Sequence, residues 1–67
     1  MDDGIIKQEI LKILKNNNTW ISIIHKELIR RNKEVSLPKL YDLLDEMEKN
    51  KLIETETIGN TRLVKLK

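Results

Sequence analysis

The stretch VSLPKLYDLLDEMEKNKLIE, residues 35–54, carries a complete set of helix start, face and stop signals followed by a β-like opening. A serine hydroxyl accepts from the free N–H groups of a first turn, and proline does no harm where the N–H has no partner. Ser36 is therefore the expected N-cap and Pro38 a first-turn residue. Leu37, Leu40, Leu43, Leu44 and Met47 recur at helical spacing on one face, and Asn50 is a plausible C-cap, so the spacing predicts a helix over 37–49.

Upstream, Asp2 and Asp3 suit a helix start, because carboxylates favour the positive end of the helix dipole. Ile6, Ile10, Ile13 and Leu14 share one face of a first helix over 3–15, which Asn16, Asn17 and Asn18 terminate. Ile5 and Leu11 lie at or beyond the edge of that stripe and offer extra core or a self-association surface. Thr19, Trp20 and Ile21 are β-formers in a run with room for one bridge, and Trp20 is expected to cover the core beside the sheet. Ser22 is a candidate cap for a second helix over 23–31, with Ile24, Leu28 and Ile29 apolar, and residues 32–34 form the break after it.

Downstream, Gly59 and Asn60 accept the backbone that two-residue hairpin loops require. Pairing outward from them sets Ile58 against Thr61 and Ile53 against Leu66 in a hairpin over 52–66. This register gathers Ile53, Val64 and Leu66 on one face and places Glu54 opposite Lys65 on the other; a slip of one residue would scatter both sets.

Helix, short strand, helix, turn, capped helix and hairpin is the order of a winged helix-turn-helix domain, an α+β fold that would take up all 67 residues as one domain. Residues 35–54 resemble the third helix and wing opening of PadR- and MarR-like transcriptional regulators, where a serine cap leads into an aromatic-leucine pair, a leucine ladder and a Gly-Leu-Ile that opens the wing. Lys51 stands in place of that glycine, with Asn50 as the expected left-handed residue, and the long dimerisation helices of those families are absent. The resemblance implies that the third helix enters the major groove of double-stranded DNA and that the wing touches the minor groove or backbone. Carried over by position, it brings Ser36, Pro38, Lys39, Tyr41 and Asp42 to the DNA, with Thr57, Asn60, Thr61 and Arg62 at the wing and Thr19 and Ser22 near phosphates.

Charge complicates that expectation. Residues 37–48 set Lys39 against Asp42, Asp45, Glu46 and Glu48, net −3, while the rest of the chain carries +5, for a total of +2. The excess is local: Lys26, Arg30, Arg31 and Lys33 lie together with only Glu27 opposing, and Arg62, Lys65 and Lys67 close the chain. These basic groups are candidate phosphate contacts, since phosphates dominate affinity for DNA. Asp45 and Lys49 are spaced to neutralise each other on a helix, whereas Asp42 lies in the first two turns, where a carboxylate can accept from a cytosine amino group but is repelled by phosphates. The same acidic face suits an alternative, a winged-helix module that docks onto a basic protein.

Enzymatic chemistry finds no constellation. His25 is the only histidine and there is no cysteine, so zinc and nucleophilic arrangements lack members, and His25 reads as a helix-surface residue. No cofactor and no small-molecule ligand is expected. Neither a signal-peptide core nor an apolar run near the ~20 residues of a membrane span is present, which with the lack of cysteine predicts a cytoplasmic protein. One partly acidic reading helix makes few contacts, so a homodimer on a two-fold site is expected, with Ile5 and Leu11 of the first helix as its interface.

Overall fold

The computed structural model describes residues 3–67. It runs α1 (Asp3–Asn16), β1 (Thr19–Trp20), α2 (Ile21–Arg30), α3 (Leu37–Lys49), β2 (Ile53–Ile58) and β3 (Thr61–Leu66), with an antiparallel sheet in the order β1-β3-β2. This is the α+β winged helix-turn-helix that the residue pattern predicts. Asp2, an expected helix starter, lies outside the described residues.

The third helix has the bounds its signals predict. Ser36 is extended, and its hydroxyl accepts from the Lys39 amide at 3.3 Å, with Pro38 in the first turn. Leu40, Leu43, Leu44 and Met47 are buried against Ile6, Ile10, Ile13 and Leu14 of α1, Ile21, Ile24 and Leu28 of α2, and Ile53 and Val64 of the sheet. Leu37, expected on that stripe, is instead 41% exposed in the first turn.

Both α2 and α3 end in paired 6→1 and 5→2 hydrogen bonds that satisfy their last carbonyls. The Lys33 amide donates to Leu28 and the Asn32 amide to Ile29; likewise the Leu52 amide donates to Met47 and the Lys51 amide to Glu48. This geometry demands a left-handed residue just after each cap, and Asn32 (φ 59°) and Lys51 (φ 62°) supply it. Asn50 was the expected left-handed residue, but it is the cap itself, at φ −83°. The helix's last hydrogen bonds decide which position turns left-handed, and a lysine accepts the strain.

The second helix starts two residues earlier than expected. Trp20, not Ser22, is its N-cap, extended and without a side-chain cap bond. The reason lies in the sheet: Thr19 pairs with Val64 and Trp20 with Leu63, two bridges where one was expected, which holds Trp20 extended and leaves Ile21 to begin the helix. Ile21 is thereby buried. Burying an isoleucine stabilises by about 1.5–3 kcal/mol, more than the ~1 kcal/mol of a serine cap, so the early start wins. The buried face is then Ile21, Ile24 and Leu28, and Ile29 is left 44% exposed. Because Thr19 shares Val64's side of the sheet, Trp20 and Leu63 fall on the outer face, and Trp20 does not cover the core.

The hairpin keeps the expected register throughout, from Ile58 opposite Thr61 to Ile53 opposite Leu66. Gly59 has φ +62° and Asn60 does not, the pattern of a II′ turn whose first central residue is glycine. Ile53 and Val64 are buried as expected, but Leu66 is 40% exposed beyond the end of β1, where the Asn18 side chain accepts its amide. Glu54 stands opposite Lys65, yet the closer ion pair is the diagonal Lys65–Glu56 at 3.2 Å.

Candidate nucleic-acid interface

The exposed face of α3 is built by the same periodicity that buries its leucines. At 100° per residue Pro38, Asp42 and Asp45 lie opposite the core face, and all three are exposed. Three of the helix's four carboxylates are satisfied from other elements. Arg62 of β3 donates to Asp45 at 3.2 Å, Lys7 of α1 donates to Glu46 at 2.6 Å, and the Thr55 amide of β2 donates to Glu48 at 2.8 Å, joined by the Thr55 hydroxyl. Asp42 alone has no cation or donor among the described residues. The expected Asp45–Lys49 pair does not form, because Arg62 takes Asp45, and Lys49 has no ion-pair partner among the described residues.

Arg62 does more than neutralise. Its guanidinium lies 5.0 Å from the centroid of the half-buried Tyr41 ring, within range for a cation–π contact, so one side chain spans from the wing across Tyr41 to Asp45. It starts on the Val64 side of the sheet and, near the tip of the hairpin, reaches over the edge of the core to the helix. Lys39, in the first turn, donates to Asp3 at the start of α1 at 3.1 Å; both are about half exposed, so the pair is a weak tether open to competition.

The basic cluster of Lys26, Arg30, Arg31 and Lys33 divides. Arg31 turns inward and donates to Glu9 of α1 at 3.0 Å and to Glu27 at 3.3 Å. The hydrogen bond from Arg31 holds Glu9 below the usual carboxylate range, and the bond to Glu9 raises Arg31 in turn. Arg30 is only 3.8 Å from Glu27 and largely exposed. Lys26 and Lys33 have no ion-pair partner among the described residues and remain available to an anion. Thr19 and Arg31 line one recess of about 240 Å³ at the end of α1, away from the helix-3 face. Ser22 is exposed in the first turn of α2.

The turn into α3 is clamped from behind. His25 Nε2 lies 2.9 Å from the Val35 carbonyl, so this histidine, expected to be a plain surface residue, fixes the segment that leads into the Ser36 cap. At the wing, Thr57 and Asn60 are exposed and Thr61 half-buried. Of the two residues expected at a dimer interface, Ile5 is 47% exposed, while Leu11 is half-buried against the chain's own core. Sequence reasoning missed Asp3 and Lys7 as partners of this face, Glu9 as the partner of Arg31, and Glu48 as the acid that holds Thr55. Only the tertiary fold brings the first three into place, since their bonds span 22 to 39 residues.

No family model matches the sequence, and neither does any curated protein sequence. Among solved structures the chain is similar to hsRosR in the complex of hsRosR-S4, with a TM-score of 0.81 and 24% identity over 91% of this chain; it spans 55% of that chain. It is also similar to a structure of HOP2 that concerns that protein's DNA recognition and protein interaction domains, with a TM-score of 0.79 and 16% identity, over 92% of this chain and 98% of the other. These likenesses establish the winged-helix fold. No helix among the described residues is long and apolar enough to cross a membrane.

Proposed function

We propose that this winged-helix domain binds double-stranded DNA sequence-specifically, as a small transcriptional regulator and a homodimer, and not as an enzyme. The third helix enters the major groove by its N-terminal half, and the wing meets the minor groove or backbone. One observation carries the reading: two of the four negative charges that argue against it are cancelled internally by Arg62 and Lys7, Glu48 is tied to Thr55, and what remains exposed at the front of α3 is Ser36, Pro38, Lys39 and Asp42 beside Tyr41. Lys26, Arg30 and Lys33 then supply phosphate contacts, with Thr57, Asn60, Thr61 and Arg62 at the wing and Thr19 and Ser22 at the start of α2. The PadR- and MarR-like reading gains support from Lys51, which holds left-handed backbone at the place of that family's glycine. The DNA recognition named for HOP2 agrees with it.

Docking of the acidic face onto a basic protein is the weaker reading, because three of the four carboxylates it needs are already paired. A mobility-shift titration with random-sequence duplex at low salt separates the two. DNA binding predicts a shift that weakens steeply with salt and weakens again in the Lys39→Ala and Arg62→Ala double variant; no shift by the wild type would remove it. Ile5→Glu, at an exposed position, is expected to give a monomer by light scattering if α1 forms the dimer interface.

A further inference from the structure

We infer that Asp42 is a specificity-determining residue that selects a cytosine in the major groove, an inference that rests on the DNA-binding reading above. Every other carboxylate of α3 is held by a partner, and Arg62 comes within one turn of Asp42 yet binds Asp45. Asp42 is thus left exposed, opposite the core leucines, in the half of the helix that leads into the groove. An unpaired carboxylate facing a polyanion repels every phosphate alike, so it lowers affinity for DNA of any sequence. It recovers that loss only at a base whose groove edge presents a donor. Guanine shows acceptors alone, thymine an acceptor and a methyl group, and adenine an amino group beside the N7 acceptor, which repels a second carboxylate oxygen. Cytosine shows an amino group with no acceptor next to it, and is the base that a carboxylate accepts from best.

The test is selection from a duplex pool with a randomised core, at low salt, by the wild type, Asp42→Asn and Asp42→Ala. The wild type is expected to enrich cytosine at one position of its site. Asparagine, which pairs with adenine N6 and N7, should move that position to adenine, and alanine should leave it unselected, with discrimination there reduced about fivefold to tenfold. The other positions should stay as they are, and Asp42→Ala should bind the unselected pool more tightly than the wild type. Equal melting temperatures for the three proteins are expected at this exposed position. Identical selected sequences from all three proteins would overturn the inference and leave DNA binding intact; so would loss of preference at every position in Asp42→Ala. A wild type that retains no duplex would overturn the DNA-binding reading itself.

Discussion

Arg62 joins the wing to the third helix by donating to Asp45 at 3.2 Å, and in doing so it cancels a negative charge on the exposed face of that helix. The pair is partly exposed, with side chains 26% and 58% accessible, so it contributes at most about 1 kcal/mol to stability. Its effect on binding should be larger. Arg62→Ala leaves Asp45 bare and removes a cation, which should weaken duplex affinity and make the salt dependence shallower by about 0.9 in log–log slope for each phosphate that Arg62 neutralises in the wild type. Asp45→Asn does the opposite, freeing Arg62 and removing a negative charge, and should tighten binding. Titrations by fluorescence anisotropy at several salt concentrations check both; equal affinities in the two variants would separate this ion pair from the interface.

Lys51 carries backbone strain that its side chain does not need. At φ 62° an L-residue other than glycine or asparagine loses roughly 1 kcal/mol. Lys51→Gly is therefore expected to stabilise the fold by about that much, raising the melting temperature by about 4–8 °C for a domain of this size. Gly59→Ala should do the reverse. No atom lies within 4 Å of the added Cβ, so its penalty is conformational and not steric. Thermal unfolding followed by circular dichroism measures both. A Lys51→Gly variant that melts below the wild type would show that the lysine side chain offsets the strain.

What could be read from the sequence was local. Ser36, Pro38 and the leucine ladder bound α3 to the residue, and the Gly59-Asn60 turn set the hairpin register, because each signal acts within a few positions of the structure it makes. The start of α2 was not legible at Ser22, since it depends on Thr19 and Trp20 pairing with a strand near the other end of the chain. The same holds for the candidate interface. Its residue types and its helix could be named, but the partners that neutralise its acids come from α1 and β3, and no spacing rule connects them. Lys51 shows a further limit: residue preference favoured Asn50, whereas the last hydrogen bonds of the helix chose its neighbour.

Arg31 and the two nearby lysines look alike in sequence and should behave differently. Arg31 is engaged with Glu9 and Glu27, tying the end of α2 to α1, while Lys26 and Lys33 form no ion pair among the described residues. Arg31→Ala is expected to lower the melting temperature. Lys26→Ala and Lys33→Ala should leave it unchanged and weaken duplex binding uniformly across sequences, each with a shallower salt slope. Measuring melting and binding on the same three variants decides the matter. If Arg31→Ala melts normally and binds poorly, its assignment as a structural tie is wrong.

Glu48 links the stability of the wing to pH. Its carboxylate accepts from the Thr55 hydroxyl and from the Thr55 amide, and these bonds, in that order, hold its pKa below the usual carboxylate value. Because the folded-state pKa is depressed, the contribution is fully present above the unfolded value, about 4.3. It is lost as pH falls through the lower, folded value. Glu48→Gln, which cannot ionise, should melt below the wild type at neutral pH, and the gap should close in acid. Glu9, lowered by Arg31, titrates in the same direction in both proteins, so the difference between the two melting curves isolates Glu48. The amide that Glu48 occupies belongs to β2, an edge strand of the sheet, and a free edge donor invites pairing with another chain. Glu48→Ala should therefore also show concentration-dependent association by sedimentation. Parallel melting curves for Glu48→Gln and wild type from neutral pH into acid would rule out the carboxylate as the anchor of the wing.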